Sequence, residues 1–314
     1  MKIDYKKYHL NKNDNIIIAV SGGVDSMALL DILSKIHNTD NIIVAHCNHG
    51  FRKESILEAK MVENICNQLN VHFEMKEAVN LKNQELAARE FRYEFFYELM
   101  EKYSAKALFV GHHKNDQVET VFFRLMRGAG LTGLSGMKEH DKERKIIRPF
   151  LKFTKEDILE YAKANNLKWM DDATNFEVDY DRCWLRNDII PALEERKPGI
   201  ANVISKTAEN LSEVADFMSQ EAEKWIHNQE NKDYSEKQKV NNVFMSQTDF
   251  KQLHVAMQKE VVLHLYVKHN GSRQGVRQVD VENIIKWIKG MKPGSCISFG
   301  NVTFRNYGDF VAYK

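Results

Sequence analysis

Short aliphatic runs alternate with stretches of helical periodicity over the first half of the chain. Asn15–Val20 (NIIIAV), Asn41–His46 (NIIVAH), Val71–Met75 (VHFEM) and Ala107–Gly111 (ALFVG) read as buried strands. Ser26–His37, Glu54–Asn70, Gln84–Tyr103 and Asp116–Met126 read as helices between them. This alternation predicts an α/β fold, a doubly wound parallel sheet with helices on both faces. Such sheets meet their ligands at the carboxyl ends of the strands. Three polar segments fall there: SGGVDS (21–26), HCNHGFR (46–52) and GHHKNDQVET (111–120).

Further along, a glycine-punctuated loop, Arg127–Met137, leads into a charged connector, KEHDKERK. Thr154 and Asp157 have the spacing of a capping box, so a helix is expected to start there. DDATN (171–175) reads as a turn, and long helices follow from about Ile200 to Asn228. Composition becomes polar near residue 230. Beyond it Gln252–His269 is amphipathic, and the end alternates and turns at Gly300-Asn301, as a small antiparallel sheet would. The expected organisation is a catalytic sheet domain over 1–195, a helical linker over 196–230 and a smaller helical, α+β C-terminal domain over 231–314.

Composition narrows the function classes. Of the 314 residues, 43% are hydrophobic and 28% charged, enough for a sizeable core. The net charge of +1 means that a nucleic-acid partner has to be met by a local basic patch. Four cysteines, Cys47, Cys66, Cys183 and Cys296, show no CxxC spacing. That speaks against a zinc site, an iron–sulfur site or a disulfide framework, and it fits a reducing cytoplasm. The polar N-terminus is no signal peptide, and no apolar run is long enough for a membrane span.

SGGVDS after a buried strand carries the chemistry of anion binding. Gly22 and Gly23 allow close approach, the hydroxyls of Ser21 and Ser26 donate, and backbone N–H groups of the loop, Val24 among them, and of the helix N-terminus that follows add to them. The GK[ST] of a Walker A loop is missing, which makes γ-phosphoryl transfer less apt. Asp25 beside phosphate calls for a cation, pointing to Mg²⁺. A helix starting near Asn115 would put Asp116 and Glu119 on one face. That pair can hold an ammonium group or Mg²⁺ and can raise each other's pKa; a solvated helix start is the plain alternative. His112 at a strand end is a candidate phosphate contact, and Arg92 a candidate for offsetting charge at an α-phosphate. Arg127 and Arg186 are candidates for nucleic-acid backbone or phosphates, each with a surface ion pair as its alternative. Lys142, Arg144, Lys145 and Arg148 form a candidate RNA patch, or a solvated loop.

SGGVDS resembles the pyrophosphatase loop of the N-type ATP pyrophosphatases, which bind ATP and cleave it at the α-phosphate. HCNHGFRKES, AAREFRYEFF, the segment Gly111–Met137, IRPFL, DDATN and LRNDIIPAL together resemble the tRNA(Ile)-lysidine synthetase family, from about Asn15 to Leu193. The tail from Lys292 is similar to the end of that family's first C-terminal domain, as in a short member without a second one. Cys183 after Arg182 departs from the pattern, where asparagine is more usual.

The resemblance implies a Rossmann-like fold and a C–N bond-forming ligase using ATP and Mg²⁺. O2 of the wobble cytidine of a CAU-anticodon tRNA(Ile) attacks the α-phosphate and pyrophosphate leaves. The amine of free L-lysine then attacks C2 and expels AMP, giving lysidine. It further implies that the backbone around Ala45 and His46 reads the adenine edge, and that Asp25, Arg92, His112, Asp116 and Glu119 are catalytic. Asp25 and Asp116 are the expected Mg²⁺ ligands, and Asp116, Glu119, Arg127 and Arg186 the expected contacts to lysine or tRNA. A homodimer is compatible with it. tRNA cytidine 2-thiolation on the same fold is the alternative, but it usually needs clustered cysteines. A non-catalytic tRNA-binding module would have lost Asp25 or the acidic pair, and no amidotransferase segment is recognisable.

Overall fold

Three consecutive isoleucines set the layering. In β1 (Ile16–Ala19), Ile16 and Ile18 enter one core and Ile17 another, and all three are fully buried. Successive strand residues point to opposite faces, so an unbroken aliphatic run needs cover on both. α1 (Val24–Ile36), α2 (Glu54–Leu69) and α6 (Lys155–Ala164) cover the first face through Leu29, Leu33, Val62 and Ile158. α3 (Glu85–Lys102) covers the second through Phe95, Phe96 and Leu99. The computed structural model describes residues 1–48, 54–78, 85–170, 180–232, 243–271, 273, 276–290 and 293–313. The DDATN turn, residues 49–53 and most of the polar stretch after residue 230 lie outside these.

β2 (Ile42–Asn48), β3 (His72–Glu77), β4 (Ala107–Phe109), β5 (His140–Asp141) and β6 (Ile146–Ile147) complete the sheet, in the order β3-β2-β1-β4-β6-β5. All neighbours are parallel except β5, which pairs antiparallel with β6. Ile16 lies between Ile42 and Ala107, and Ile18 between Val44 and Phe109. The expected doubly wound parallel sheet is therefore present, with one antiparallel edge. The chain leaves β1 toward β3 and then returns to β4 on the other side of β1. This reversal makes a crevice at the carboxyl ends of β1 and β4, where ligands of such sheets bind. α4 (Lys114–Met126) starts from that crevice, and α5 (Leu131–Leu134) follows it. α7 (Tyr180–Trp184) runs through a π turn at Leu185–Ile189 into α8 (Ile190–Arg196).

The chain divides into two compact units, Met1–Ser212 and Glu213–Lys314, and the division falls within α9 (Ile200–Glu230). The second unit comprises β7 (Val243–Ser246), α10 (Gln247–Gln252), α11 (Val255–Asn270), α12 (Gln278–Gly290), β8 (Cys296–Phe299), β9 (Val302–Asn306) and β10 (Phe310–Tyr313). Its antiparallel sheet has the order β7-β10-β9-β8. In β9, Val302 and Phe304 are buried and alternate with exposed Thr303 and Arg305, which fixes the register. Gly300 turns the hairpin at φ +59°, and a Cβ there would come within 2.6 Å of Asn270 and Tyr266. The sequence pattern anticipates this hairpin but not β7 or α12.

Candidate active site

The loop after β1 is folded by its own serines. The Ser26 hydroxyl donates to the Gly23 carbonyl (2.9 Å) and accepts from the Ser21 N–H (3.2 Å). Ser26 is buried, so its hydroxyl serves the loop instead of facing outward as expected; Ser21 is exposed. Gly22 has φ +97°, a conformation that favours glycine. Gly23 has an ordinary φ of −74°, and a Cβ there would meet only the Ser21 hydroxyl, at 3.6 Å. Gly22 is thus required by the turn, whereas Gly23 leaves the loop face open. Gly23 caps α1 without a side-chain hydrogen bond, so the N–H groups of the first turn, from Val24 to Ser26, receive no side-chain cap.

On the neighbouring strand, Ala45 and His46 are buried. The Ala45 carbonyl accepts from the Val20 N–H (3.0 Å), and His46 Nδ1 is 2.8 Å from the Val20 carbonyl. These two residues fasten the loop to β2. Burial lowers the His46 pKa, and its bond to Val20 opposes this.

A chain of charges runs from the loop to α4. The Lys155 ammonium donates to both Asp25 oxygens, at 2.8 and 2.7 Å. His113 Nε2 stands 3.9 Å from Asp25 and 3.6 Å from Asp116. Arg186 then lies 3.9 Å from Asp116 and grips Glu119 with two bonds, Nε to Oε1 at 2.7 Å and Nη2 to Oε2 at 2.8 Å. Asp116 and Glu119 do share a helix, as the spacing predicts, and Asp116 also accepts the His113 N–H (2.9 Å).

The expected mutual raising of pKa does not hold for Asp116. Burial raises it, but His113, His112, the His113 N–H and Arg186 outweigh burial, and its pKa ends below the usual carboxylate range. Arg186 is bonded to a carboxylate, the alternative to its expected phosphate contact.

Burial takes the His112 ring down to about 4; Asp116 opposes this, and Arg148, Arg89 and Arg92 reinforce it. His112 is therefore neutral near pH 7, and its Nδ1 is buried with no hydrogen-bond partner among the described residues. Arg92, on α3, is thereby placed near His112. Arg148 is buried, with its Nη1 donating to the Lys138 carbonyl (2.9 Å), so it supports the connector and does not belong to a surface patch. Lys142, Arg144 and Lys145 are exposed, as is Arg127.

Two contributors are not anticipated by the sequence. Lys155 reads as part of a helix start, and nothing local shows that it reaches Asp25, 130 residues earlier. Gly111 has a steric role. A Cβ on it would lie 3.2 Å from the Asp25 carbonyl carbon and 3.3 Å from the Ser26 nitrogen, both backbone atoms. A side chain on Gly111 would have to push the end of β4 and the first turn of α1 apart by a few tenths of an ångström.

The donor set bears on Mg²⁺. Among the described residues no three His, Cys, Asp or Glu side chains gather as a protein cage. An ion held largely by phosphate oxygens needs only one or two carboxylates, and Asp25 and Asp116 flank His113.

Comparison with known proteins adds the following. A family model described as a PP-loop domain matches residues 2–193. The tRNA(Ile)-lysidine synthase of Thermosipho africanus is 38% identical over 223 residues, covering 68% of this chain and 52% of that protein. The one from Bacillus subtilis is 38% identical over 220 residues, covering 66% and 46%. The one from Chlorobaculum tepidum is 37% identical over 212 residues, covering 64% and 62%. The chain spans about half the length of most of these curated relatives. Among solved structures, the U34-tRNA thiolase NcsA from Methanococcus maripaludis with its [4Fe-4S] cluster superposes with a TM-score of 0.56 at 21% identity, covering 65% of this chain and 74% of that one. At that identity the likeness speaks for the fold alone.

Proposed function

The chain belongs to the PP-loop domain family, and we propose that it is a ligase that uses ATP to join lysine to the wobble cytidine of a CAU-anticodon tRNA(Ile). The observation that carries this reading is the continuous run Lys155–Asp25–His113–Asp116–Arg186–Glu119, which links a phosphate-type loop to an acidic pair within one crevice. Adenylation of the cytidine by ATP and the later displacement of AMP from C2 by lysine need those two stations side by side.

In the first half-reaction, O2 of cytidine bonds to the α-phosphorus while the bond to the pyrophosphate oxygen breaks. The uncapped N–H groups of Val24, Asp25 and Ser26 and the ammonium of Lys155 face the departing pyrophosphate. Mg²⁺ supplies charge neutralisation on the phosphate oxygens, and Asp25 and Asp116 are the residues that would hold it. Neutral His112 offers a ring hydrogen bond at the α-phosphate, and Arg92 supplies positive charge there.

In the second half-reaction, the lysine nitrogen bonds to C2 while the C2–O bond breaks, and AMP leaves with that oxygen. Glu119 is already held by a guanidinium. Asp116, with looser contacts, is the carboxylate left to receive the incoming ammonium and to take the proton its nitrogen gives up in attacking C2. Arg186 fixes Glu119 beside it.

The test is incubation with ATP, Mg²⁺, labelled lysine and a tRNA(Ile) transcript. Label should enter the RNA with AMP and pyrophosphate released in equal amounts. Glu119→Gln should lose lysine transfer while single-turnover pyrophosphate release persists. Loss of pyrophosphate release in that variant, with the lysine dependence of residual activity unchanged, would reassign Glu119 to metal binding beside Asp116. Absence of label with wild-type protein would reject the reaction.

Thiolation fits less well. Burial pushes the Cys47 and Cys66 thiols up to about 12, so neither is a thiolate near pH 7.

A further inference from the structure

α4 and the α7–π segment meet rung by rung beyond the acidic pair. Glu119, Phe123 and Arg127 follow one another at i, i+4 and i+8 on α4, about 12 Å from first to last. Arg182 and Arg186 stand at i and i+4 on the facing segment. Glu119 bonds Arg186 on the first rung. On the next, the Arg182 guanidinium carbon lies 5.0 Å from the centre of the Phe123 ring. Arg127, one turn further, lies 3.9 Å from the same ring. The ladder thus begins at the proposed lysine station and ends at the surface. There Arg127 is exposed, and Trp184, Leu125 and Met126 are 41%, 53% and 50% exposed.

Charge at this end of α4 is one-sided. Arg124 lies beneath it and donates to the carbonyls of Gly133 (2.9 Å) and Gly136 (2.7 Å). Burial lowers the Arg124 pKa, and the next largest influences are four further arginines: 148, 182, 89 and 144. Guanidinium groups within electrostatic reach of one another repel in the free protein, and a polyanion meeting the exposed ones relieves that repulsion. Apolar side chains exposed beside the Arg127 guanidinium, with half-buried Arg182 on the same ring, suit unpaired bases, which stack on guanidinium planes as well as on aromatic rings.

We propose that Arg127 and Arg182, braced against Phe123, form a stacking platform for an unpaired anticodon-loop base adjacent to the reacting cytidine. The proposal rests on the RNA substrate of the preceding section and adds a base-binding site to it. A bidentate phosphate contact also favours arginine over lysine, so an abasic RNA, together with the lysine variants, is what separates a stacked base from a phosphate.

The test uses the full chain and an anticodon stem-loop RNA of the CAU sequence. Arg127→Lys and Arg182→Lys keep the charge and remove the plane; Phe123→Leu removes the brace. Each should weaken RNA binding about fivefold or more, with the slope of log affinity against log salt unchanged. The Arg127→Lys loss should vanish on an RNA made abasic at the residue next to the wobble position, because the base that stacks is then missing. Melting temperatures serve as the folding control. Full affinity in both lysine variants, with weakening and a shallower salt slope only in Arg127→Ala, would replace the platform by a phosphate contact. A penalty that persists on the abasic RNAs, tested on either side of the wobble position, would overturn it as well. A wild-type protein that binds the RNA but transfers no lysine would remove the proposed reaction and leave the platform to stand or fall on the abasic comparison.

Discussion

Lys155 and His112 show how much single side chains owe to partners far away in sequence. The Lys155 ammonium lies within 2.8 Å of both Asp25 oxygens, on a loop without a Walker-type lysine. Its pairing with Asp25 is partly solvated, so its contribution to stability is small. Its contribution to ATP use is expected to be larger. Lys155→Met should slow pyrophosphate release by about tenfold or more, with Lys155→Arg retaining much of the rate. Equal rates in wild type and Lys155→Met would reduce the lysine to a surface partner of Asp25.

His112 gives a pH prediction. Its folded value of about 4 lies below the ordinary 6.5, so between these values the unfolded chain binds the extra proton. Stability is full above about pH 6.5 and is lost as pH falls toward 4, by roughly 3 kcal/mol at most. His112→Asn should flatten that part of the stability curve. His37 and His46, also lowered by burial, leave a residual slope. Asp116, with a lowered carboxylate pKa, acts in a separate window, below the ordinary value of 3.8. An unchanged slope between pH 6.5 and 4 in His112→Asn would show that the histidine is not the responsible group.

Among the elements, the positions of the glycines decide more than their number. Gly22→Ala places a side chain at φ +97° and should cost about 1–3 kcal/mol in stability. Gly23→Val meets no such strain and should stay folded, with only the modest cost of valine at the N-cap of α1, while losing ATP-dependent pyrophosphate release, because its side chain occupies the open loop face. A Gly23→Val protein with normal pyrophosphate release would show that phosphate does not bind there. Gly111→Ala must move β4 from α1 by a few tenths of an ångström, which shifts His112 and His113 against Asp25. Turnover should fall about tenfold with only a modest loss of stability. Unaltered turnover would show that the spacing is not critical.

These elements were legible to different degrees. The aliphatic runs of β1, β2 and β4 stand out because strands buried on both faces are apolar throughout, whereas the edge strand β3, expected to be buried, exposes His72, Met75 and Glu77. β5 and β6 have two residues each, too short for any period to register. α12 carries an apolar stripe that sequence reasoning passed over, while the π turn at Leu185–Ile189 has no sequence signature of its own. In the site, SGGVDS and the acidic pair were visible because their spacing is local. Lys155, Gly111 and the Glu119–Arg186 pairing depend on chain crossings that no local pattern encodes.

At the scale of the molecule, each compact unit has its own core, and this makes a division of labour testable. The first unit keeps its interior in the two clusters on either side of the parallel sheet. The second draws on Ala222 and Ile226 of α9 together with Phe250, Leu265, Ile284 and Phe304. A cut after Ser212 therefore respects both interiors, although it shortens α9. With a net charge of only +1, the chain has no general attraction for RNA, so affinity has to come from local patches. In the proposed reaction the first unit has to place ATP and lysine in its crevice. We expect the second unit to supply further phosphate contacts. Residues 1–212 alone should keep their melting transition and ATP-induced stabilisation, but bind tRNA(Ile) more weakly. The slope of log affinity against log salt should also be shallower, by about 0.9 for each phosphate contact removed. Both readouts matter. Weaker binding at an unchanged slope would mean that the second unit contributes shape or base contacts. Unchanged affinity and slope would place the entire RNA interface on the first unit.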